Sequence, residues 1–287
     1  MPTTPFARRG VNPALSLIYY ETRRKRATGP SVKLDVLGCS GEQAPGHHLS
    51  SFLINDSLLI DAGAAGFALD LGAQRRITDA FITHTHLDHI IGLATLASNR
   101  FGCGKVAFKI SGIRDVIAGL RSSFFNGIIW PDFGRITAET QPVPVLGFHQ
   151  MLLEKPVHVG NVKVTAVRVN HTVPTVAFFV EERKKTLLFV GDTGPTEKVW
   201  AIALRKRNLR AVVLEASFPN RLQKLADRSG HLTPRTLEGE AKKLRVPSVP
   251  ILVTHLKPQF RDEIIEELGR IKEYSLRVLE AGETFDF

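Results

Sequence analysis

The sequence is poor in cysteine and has no long apolar run. Cys39 and Cys103 are its only two cysteines among 287 residues, so a disulfide framework is not expected and a reducing compartment is favoured. No stretch approaches the about eighteen consecutive apolar residues that a membrane-spanning helix needs. The sequence has ten histidines but only these two thiols. We therefore expect a cytoplasmic protein in which any metal site uses histidine and carboxylate.

Positive charge exceeds negative charge by ten at pH 7, but the excess is unevenly distributed. Residues 1–30 carry six arginines and lysines, including Arg23-Arg24-Lys25-Arg26, against the single acid Glu21, which is half of the excess. This segment is predicted to be a flexible or loosely docked basic extension, with a transit peptide or an anchor for acidic surfaces as alternatives. Residues 31–287 are predicted to form one domain. Because that domain is only mildly basic, a small anionic substrate is favoured over nucleic acid as its partner.

From Val32 onwards, apolar patterns typical of strands alternate with patterns typical of helices, which predicts an α/β fold. A strand is predicted over Lys105–Ile110, a helix over Ser111–Phe125, and a helix that starts at Thr233-Pro234 and ends near Leu244. Residues 126–156 carry Trp130 and four prolines. They are predicted to be an irregular excursion, by default a surface loop, with a lid or part of a dimer contact as alternatives.

A cluster of metal-competent side chains follows the apolar run Ala80-Phe81-Ile82. His84, His86, Asp88 and His89 fall within six positions, and zinc, manganese and iron(II) all accept such ligands. Neighbouring residues cannot all reach one ion, but they can divide between two, so we predict a two-metal hydrolytic centre. A polar turn with capping histidines is the alternative, and it is typical of a lone histidine rather than of such a cluster.

Similar residues end other predicted strands, namely Asp61, His171, Asp192, Glu215 and His255. In layered α/β proteins, ligand sites gather where strand ends meet the connecting loops. Taken singly, each of these residues is better interpreted as a hydrogen-bonded loop residue. Their combination with residues 84–89 favours one shared site.

The ordered set His84-x-His86-x-Asp88-His89, His171, Asp192 and His255 resembles the metallo-β-lactamase superfamily over roughly residues 32–287. The resemblance implies an αββα sandwich of two mixed β-sheets flanked by helices, and it also suggests a homodimer. It implies two divalent cations, zinc first with manganese or iron as alternatives. One position would be formed by His84, His86 and His171, the other by Asp88, His89 and His255, with Asp192 between them. Asp61 matches the aspartate that orients ligand histidines.

Two phosphodiesterase branches of that superfamily resemble Glu215-Ala216-Ser217-Phe218 followed by Gly230-His231-Leu232-Thr233. One is the class II cyclic-nucleotide phosphodiesterases and the other is RNase Z, which processes transfer-RNA 3′ ends. Gly38-Cys39-Ser40-Gly41 and Thr254-His255-Leu256-Lys257-Pro258 favour the first, and no Gly/Pro-rich arm of the RNase Z type is seen. Glu42 departs from that pattern, where glycine is usual. We expect a cyclic-nucleotide phosphodiesterase, with an RNase Z-like enzyme or another hydrolase of this fold as alternatives.

The expected reaction is metal-assisted hydrolysis of a phosphodiester, with Asp88, Glu215 and His231 as the predicted catalytic residues. The leaving alkoxide needs a proton, which a histidine of near-neutral pKa can give. The resemblance assigns that role to His231, with Glu215 orienting and charging it; an ordinary loop histidine is the alternative. A non-enzymatic binding protein is disfavoured, because all seven predicted ligand positions carry competent residues.

Overall fold

Two mixed β-sheets form the centre of the part of the chain that the computed structural model describes, residues 32–103 and 107–287. The predicted basic extension lies outside these residues, and its boundary with the domain stays a prediction. In chain order the strands are β1 Lys33–Gly38, β2 Ser51–Ile54, β3 Leu58–Ile60, β4 Asp79–Phe81, β5 Phe108–Ile113, β6 Leu146–Met151, β7 Pro156–Val159, β8 Val162–Arg168, β9 Val176–Glu182, β10 Lys185–Phe189, β11 Leu209–Glu215, β12 Ile251–Thr254, β13 Leu276–Val278 and β14 Thr284–Asp286.

Each sheet, as far as the described residues show, has seven strands and consists of an antiparallel half and a parallel half. The first sheet has the order β14-β1-β2-β3-β4-β5-β6, and its strands run parallel from β3 to β6. The second has the order β13-β12-β11-β10-β9-β8-β7, and its strands run parallel from β10 to β13. Parallel strands place their carboxyl ends at the same edge of a sheet, which is where connecting loops can build a site.

Helices cover the outer faces of both sheets. They are α1 Ala65–Ala68, α2 Leu71–Arg76, α3 Leu87–Arg100, α4 Arg114–Gly119, α5 Lys198–Ala203, α6 Gln223–Ser229, α7 Pro234–Leu244 and α8 Arg261–Leu268. Buried side chains of α1 to α4 join the core of the first sheet, and those of α5, α7 and α8 pack on the second. Two mixed sheets between helical layers are the expected αββα sandwich. None of the helices in the described ranges is long and apolar enough to cross a membrane.

Strand β9 shows how the layers are held together. Its side chains alternate, so that Phe178 belongs to the core between the sheets and Phe179 to the core under the helices. A strand buried on both faces has this near-continuous apolar sequence. Phe178 meets Phe81 of the first sheet edge to face, with ring centroids 5.8 Å apart. The two sheets are therefore packed directly against each other at the carboxyl end of β4 and near the amino end of β9.

Residues 126–156 are not an irregular excursion throughout, and that prediction was wrong. They contain β6, which pairs in parallel with β5 from Phe108↔Leu146 to Ile113↔Met151. Gly147, His149 and Gln150 interrupt the apolar alternation of this edge strand, whose position is set by its pairing with β5 rather than by its own composition. The same pairing keeps residues 111–113 in β5, so the predicted helix starts only at Arg114 and ends in a π-helical turn, Leu120–Phe124.

Helix α7 agrees with its prediction. Pro234 is its first residue and Leu244 its last. The Thr233 side chain accepts a hydrogen bond from the backbone N–H of Thr236, and the Thr236 hydroxyl in turn accepts one from the backbone N–H of Thr233. A reciprocal cap of this kind, with proline in the first turn, fixes where the chain enters the helix.

Candidate active site

The predicted site residues lie together at one edge of the sandwich, where strands of both sheets end. Asp61 and His84 follow β3 and β4 of the first sheet. Asp192 and His255 follow β10 and β12 of the second sheet, and Glu215 is the last residue of β11. His171 comes just after β8, which runs in the same direction as β10 because both are antiparallel to β9. The fold thus brings together residues that are far apart in the sequence.

Among the described residues, three groups of donor atoms at this edge could each hold a metal ion, and two of these groups share Asp192. One group is His84, His86, His171 and Asp192, and the other is Asp88, His89, Asp192 and His255. These are the two sets that the resemblance implied. Asp192 belongs to both: its Oδ2 lies 3.8 Å from Nε2 of His84 and 3.3 Å from Nε2 of His255. Its carboxylate is therefore the contact between the two groups.

In the first group, ring nitrogens of the three histidines lie close to one another. Nδ1 of His171 donates a hydrogen bond to the carbonyl of Gly230 (2.8 Å), which leaves its Nε2 as an acceptor 3.3 Å from Nδ1 of His86. Nε2 of His84 is buried and has no hydrogen-bond partner among the described residues. Burial lowers the pKa of all three rings, and the neighbouring histidines lower those of His84 and His86 further. Neutral rings with lone pairs that converge fit a divalent cation.

The second group is rich in negative charge. Nε2 of His89 and Nε2 of His255 face each other at 3.4 Å. Burial opposes charge on His89, but the carboxylates of Asp192, Asp61 and Asp88 outweigh it and raise the pKa of that ring well above its usual range. The histidines likewise hold the pKa of Asp88 and of Asp192 low, against the effect of burial. Carboxylates that attract a proton here would equally attract a metal cation.

Asp61 orients two of the histidines. Its Oδ2 accepts a hydrogen bond from Nδ1 of His89 at 2.7 Å, and it also accepts one from the hydroxyl of Thr83 at 2.8 Å. The Thr83 oxygen in turn lies 3.0 Å from Nδ1 of His84. Asp61 therefore holds His89 directly and His84 through Thr83. Its backbone has φ 54°, in the left-handed region that aspartate, asparagine and histidine tolerate better than most residues.

Close backbone packing places Asp88 and His89 in the first turn of α3. A Cβ atom added to Gly63 would lie 2.0 Å from the carbonyl oxygen of Asp88, and one added to Gly92 would lie 2.2 Å from that of Ala62. Only glycine allows this approach at both places. The helix is thereby held against the loop after β3, so that its N-terminus, which favours anions, faces the site.

Glu215 and His231 form a buried pair beside both donor groups. Oε1 of Glu215 accepts a hydrogen bond from Nδ1 of His231 at 2.7 Å. Burial opposes charge on His231, but the Glu215 carboxylate outweighs it and raises the pKa of the ring. The His231 ring stacks on His255, with centroids 5.4 Å apart, and meets His171 edge to face at 5.0 Å. The predicted acid therefore lies between a residue of each group.

Two hydroxyl side chains at the site were not predicted from the sequence. They are Thr83, beside His84, and Ser217, which contacts Glu215, His231 and His255. Their positions, one residue before the histidine cluster and two after Glu215, are the signal that could have found them. Glu215, His231 and His255 form a third possible donor group. Its ring Nδ1 atoms already contact Glu215 and Ser217, so we interpret it as a hydrogen-bond network.

The family model for class-II cAMP phosphodiesterases matches residues 71–276. The chain belongs to this family. A relative described as a probable 3′,5′-cyclic-nucleotide phosphodiesterase, from Yersinia pestis, is 26% identical over 279 residues, with 78% of each chain covered.

Solved structures of the metallo-β-lactamase fold superpose over most of the chain. The metallo-β-lactamase fold protein YhfI from Bacillus subtilis has a TM-score of 0.71 at 19% identity, covering 90% of this chain and 100% of its own. Unliganded yeast PDE1 has a TM-score of 0.74 at 18% identity, covering 88% of this chain and 99% of its own. The expected family and fold are thus confirmed, and this class-II phosphodiesterase is a metal-dependent hydrolase.

Proposed function

We propose that the protein hydrolyses a 3′,5′-cyclic nucleotide, cyclic AMP or cyclic GMP, to the 5′-monophosphate, using two divalent cations. Family membership and the description of the Yersinia pestis relative support the substrate class. The observation that carries the chemistry is the Glu215–His231 pair, whose Oε1 and Nδ1 atoms lie 2.7 Å apart beside two groups of metal donors. A homodimer and a cytoplasmic location stay predictions.

The proposed ligands divide as the two donor groups do. His84, His86 and His171 would hold one cation, Asp88, His89 and His255 the other, and Asp192 would contact both. Nitrogen and carboxylate oxygen suit zinc first, with manganese or iron as alternatives. When bound, two such cations would activate water and neutralise charge on the non-bridging phosphate oxygens.

The residues of the chain supply the proton for the leaving group. Glu215 accepts the hydrogen of Nδ1 and raises the pKa of His231, which favours the protonated ring, and the proton to be transferred is the one on Nε2. The P–O3′ bond breaks, the proton of Nε2 goes to O3′, and the oxygen of water is added to phosphorus. The proton released by that water restores the ring. Asp88 and His255 would act together as ligands of the second cation, since Oδ2 of Asp88 lies 3.1 Å from Nε2 of His255.

A substrate panel tests this proposal. Protein reconstituted with zinc or manganese is assayed with cyclic AMP, cyclic GMP, a precursor transfer RNA and bis(p-nitrophenyl) phosphate, and the nucleotide product is identified by chromatography. We expect two metal equivalents per chain and 5′-AMP from cyclic AMP. Cleavage of precursor transfer RNA with inertness toward cyclic nucleotides would select the RNA-processing alternative. Far fewer than two equivalents would overturn the dinuclear centre.

The proposed role of His231 as the general acid is tested separately with the variant His231→Ala. We expect kcat to fall by about 10²- to 10⁴-fold, the usual contribution of general acid catalysis, with two metal equivalents still bound. His158→Ala removes an exposed histidine of β7 as the matched control. Full turnover of His231→Ala would remove His231 from the mechanism.

A further inference from the structure

Ser217 lies at the junction between one proposed cation position and the proposed acid. Its side chain is fully buried. Its Oγ is 2.6 Å from Oε2 of Glu215 and 2.9 Å from Nδ1 of His255. A hydroxyl has one hydrogen to donate and lone pairs to accept with. Because Glu215 has only acceptor oxygens, the Ser217 hydrogen goes to Glu215, and Oγ accepts the hydrogen of Nδ1 of His255.

Through this bond Ser217 sets which nitrogen of His255 is free. With its hydrogen on Nδ1, the ring keeps the lone pair of Nε2, the atom that faces Asp88, His89 and Asp192. The backbone of His255 is held separately, by a 2.7 Å hydrogen bond from its N–H to the carbonyl of Cys39 and by a left-handed φ of 64°. These backbone constraints place the residue, but the Ser217 hydroxyl is the bond that fixes the tautomer of the ring.

Glu215 keeps its hold on His231 without Ser217. Besides the serine hydroxyl and Nδ1 of His231, it accepts hydrogen bonds from the backbone N–H groups of Thr193 (2.9 Å) and Leu232 (3.2 Å). Three of its four donors would remain after loss of the hydroxyl. Removing Ser217 should therefore disturb His255 far more than His231.

We propose that Ser217 is a positioning residue that fixes the tautomer of His255 for metal binding and joins it to the Glu215–His231 pair. The inference rests on the proposed function, because it takes His255 as a metal ligand. The first cation position has a parallel arrangement, since the Thr83 hydroxyl lies between Asp61 and Nδ1 of His84. One buried carboxylate thus serves two histidines in each case, one directly and one through a hydroxyl.

Zinc affinity tests the proposal without depending on activity. Wild type, Ser217→Ala, Ser217→Thr and the surface control Ser98→Ala are titrated with zinc against a chromogenic chelator. We expect Ser217→Ala to bind one of its two equivalents ten- to a hundredfold more weakly, which is the usual effect of losing such an outer partner. The other equivalent should be unchanged. Ser217→Thr keeps a hydroxyl and should therefore keep most of the zinc affinity of the wild type. If the extra methyl of Ser217→Thr prevents folding, Ser217→Cys is titrated in its place.

Two results distinguish failure of this inference from failure of the proposed function. If wild-type protein binds two zinc ions and cleaves cyclic AMP, but Ser217→Ala binds both with wild-type affinity, only the role of Ser217 is overturned. If wild-type protein binds neither zinc nor manganese and leaves cyclic AMP intact with either metal, both are overturned. Circular dichroism and thermal unfolding of the metal-free variants establish that each is folded. Equal loss of both equivalents in Ser217→Ala would indicate general damage and would also overturn the proposal.

Discussion

Oδ2 of Asp61 and Nδ1 of His89 are joined by a 2.7 Å hydrogen bond that is almost wholly buried. Asp61→Asn keeps the shape and the tolerance of a left-handed backbone, but it replaces a charged acceptor by a neutral amide. We expect zinc affinity to fall about 10- to 100-fold, with a native circular dichroism spectrum. A competition titration with a chromogenic chelator measures the change.

Asp56→Asn is the control for that variant. Asp56 also has a left-handed backbone, with φ 60°, but its side chain is exposed and pairs with Lys33. Its substitution should leave zinc affinity at the wild-type value. Equal affinities for Asp61→Asn and wild type would show that the hydrogen bond to His89 does not help to hold metal.

Gly92→Ala should destabilise the protein, although alanine is the better helix former. On propensity alone the change would stabilise α3 by about 1 kcal/mol. The added methyl would lie 2.2 Å from the carbonyl oxygen of Ala62, and overpacking of this kind costs about 1–3 kcal/mol. We expect a net loss of unfolding free energy in urea.

Gly239→Ala is the matched control for packing. Gly239 lies inside α7, and among the described residues no atom beyond its chain neighbours and the adjacent helix backbone lies within 4 Å of a Cβ built there. Its substitution should be neutral or should stabilise by about 0.5–1 kcal/mol. A stabilised Gly92→Ala would mean that α3 can move away from the loop after β3 at little cost.

The two thiols should differ sharply in reactivity. Burial raises the pKa of Cys39 to about 12, and Glu280 acts in the same direction. The thiolate is the nucleophile, so Cys39 should resist alkylation until the pH approaches that value or the protein unfolds. Cys103 is exposed. Iodoacetamide at pH 8 should therefore add one group per native chain, counted by mass spectrometry.

Cys103→Ser checks which thiol reacts. The native variant should take up no label at pH 8 and one label after denaturation. Rapid labelling of native Cys103→Ser would show that Cys39 is reached by solvent.

Metal should stabilise the fold measurably, because the proposed ligands come from both sheets. A ligand that binds only the folded state raises stability by about 2.7 kcal/mol when its free concentration is a hundred times Kd. We expect zinc to raise the thermal unfolding temperature and EDTA to reverse this. His255→Ala, which removes a ligand of one group, should retain part of the shift. An unfolding temperature that zinc leaves unchanged would contradict metal binding by the native site.

The sequence was enough to single out the side chains that the structure brings together at one edge, because such residues are few, chemically distinctive and placed at strand ends. His84, His171 and His255 each follow a strand whose apolar pattern is plain. It predicted β6 poorly, because the stability of that strand comes from pairing with β5 rather than from its own composition. Ser217 and Thr83 were missed for a different reason. A hydroxyl is common in loops, and only tertiary contacts distinguish one that holds a histidine from one that does not.

The spread of the proposed ligands along the chain has a consequence for biosynthesis. His255 lies 167 positions after Asp88, and Asp192 lies between them. A nascent chain therefore carries an incomplete site until His255 has been made. Because such a domain folds once its long-range contacts can close, we expect both cation positions to be completed only after the segment that contains His255 has been synthesised. Cation loading of this enzyme would then follow the synthesis of His255 rather than that of the earlier cluster at residues 84–89.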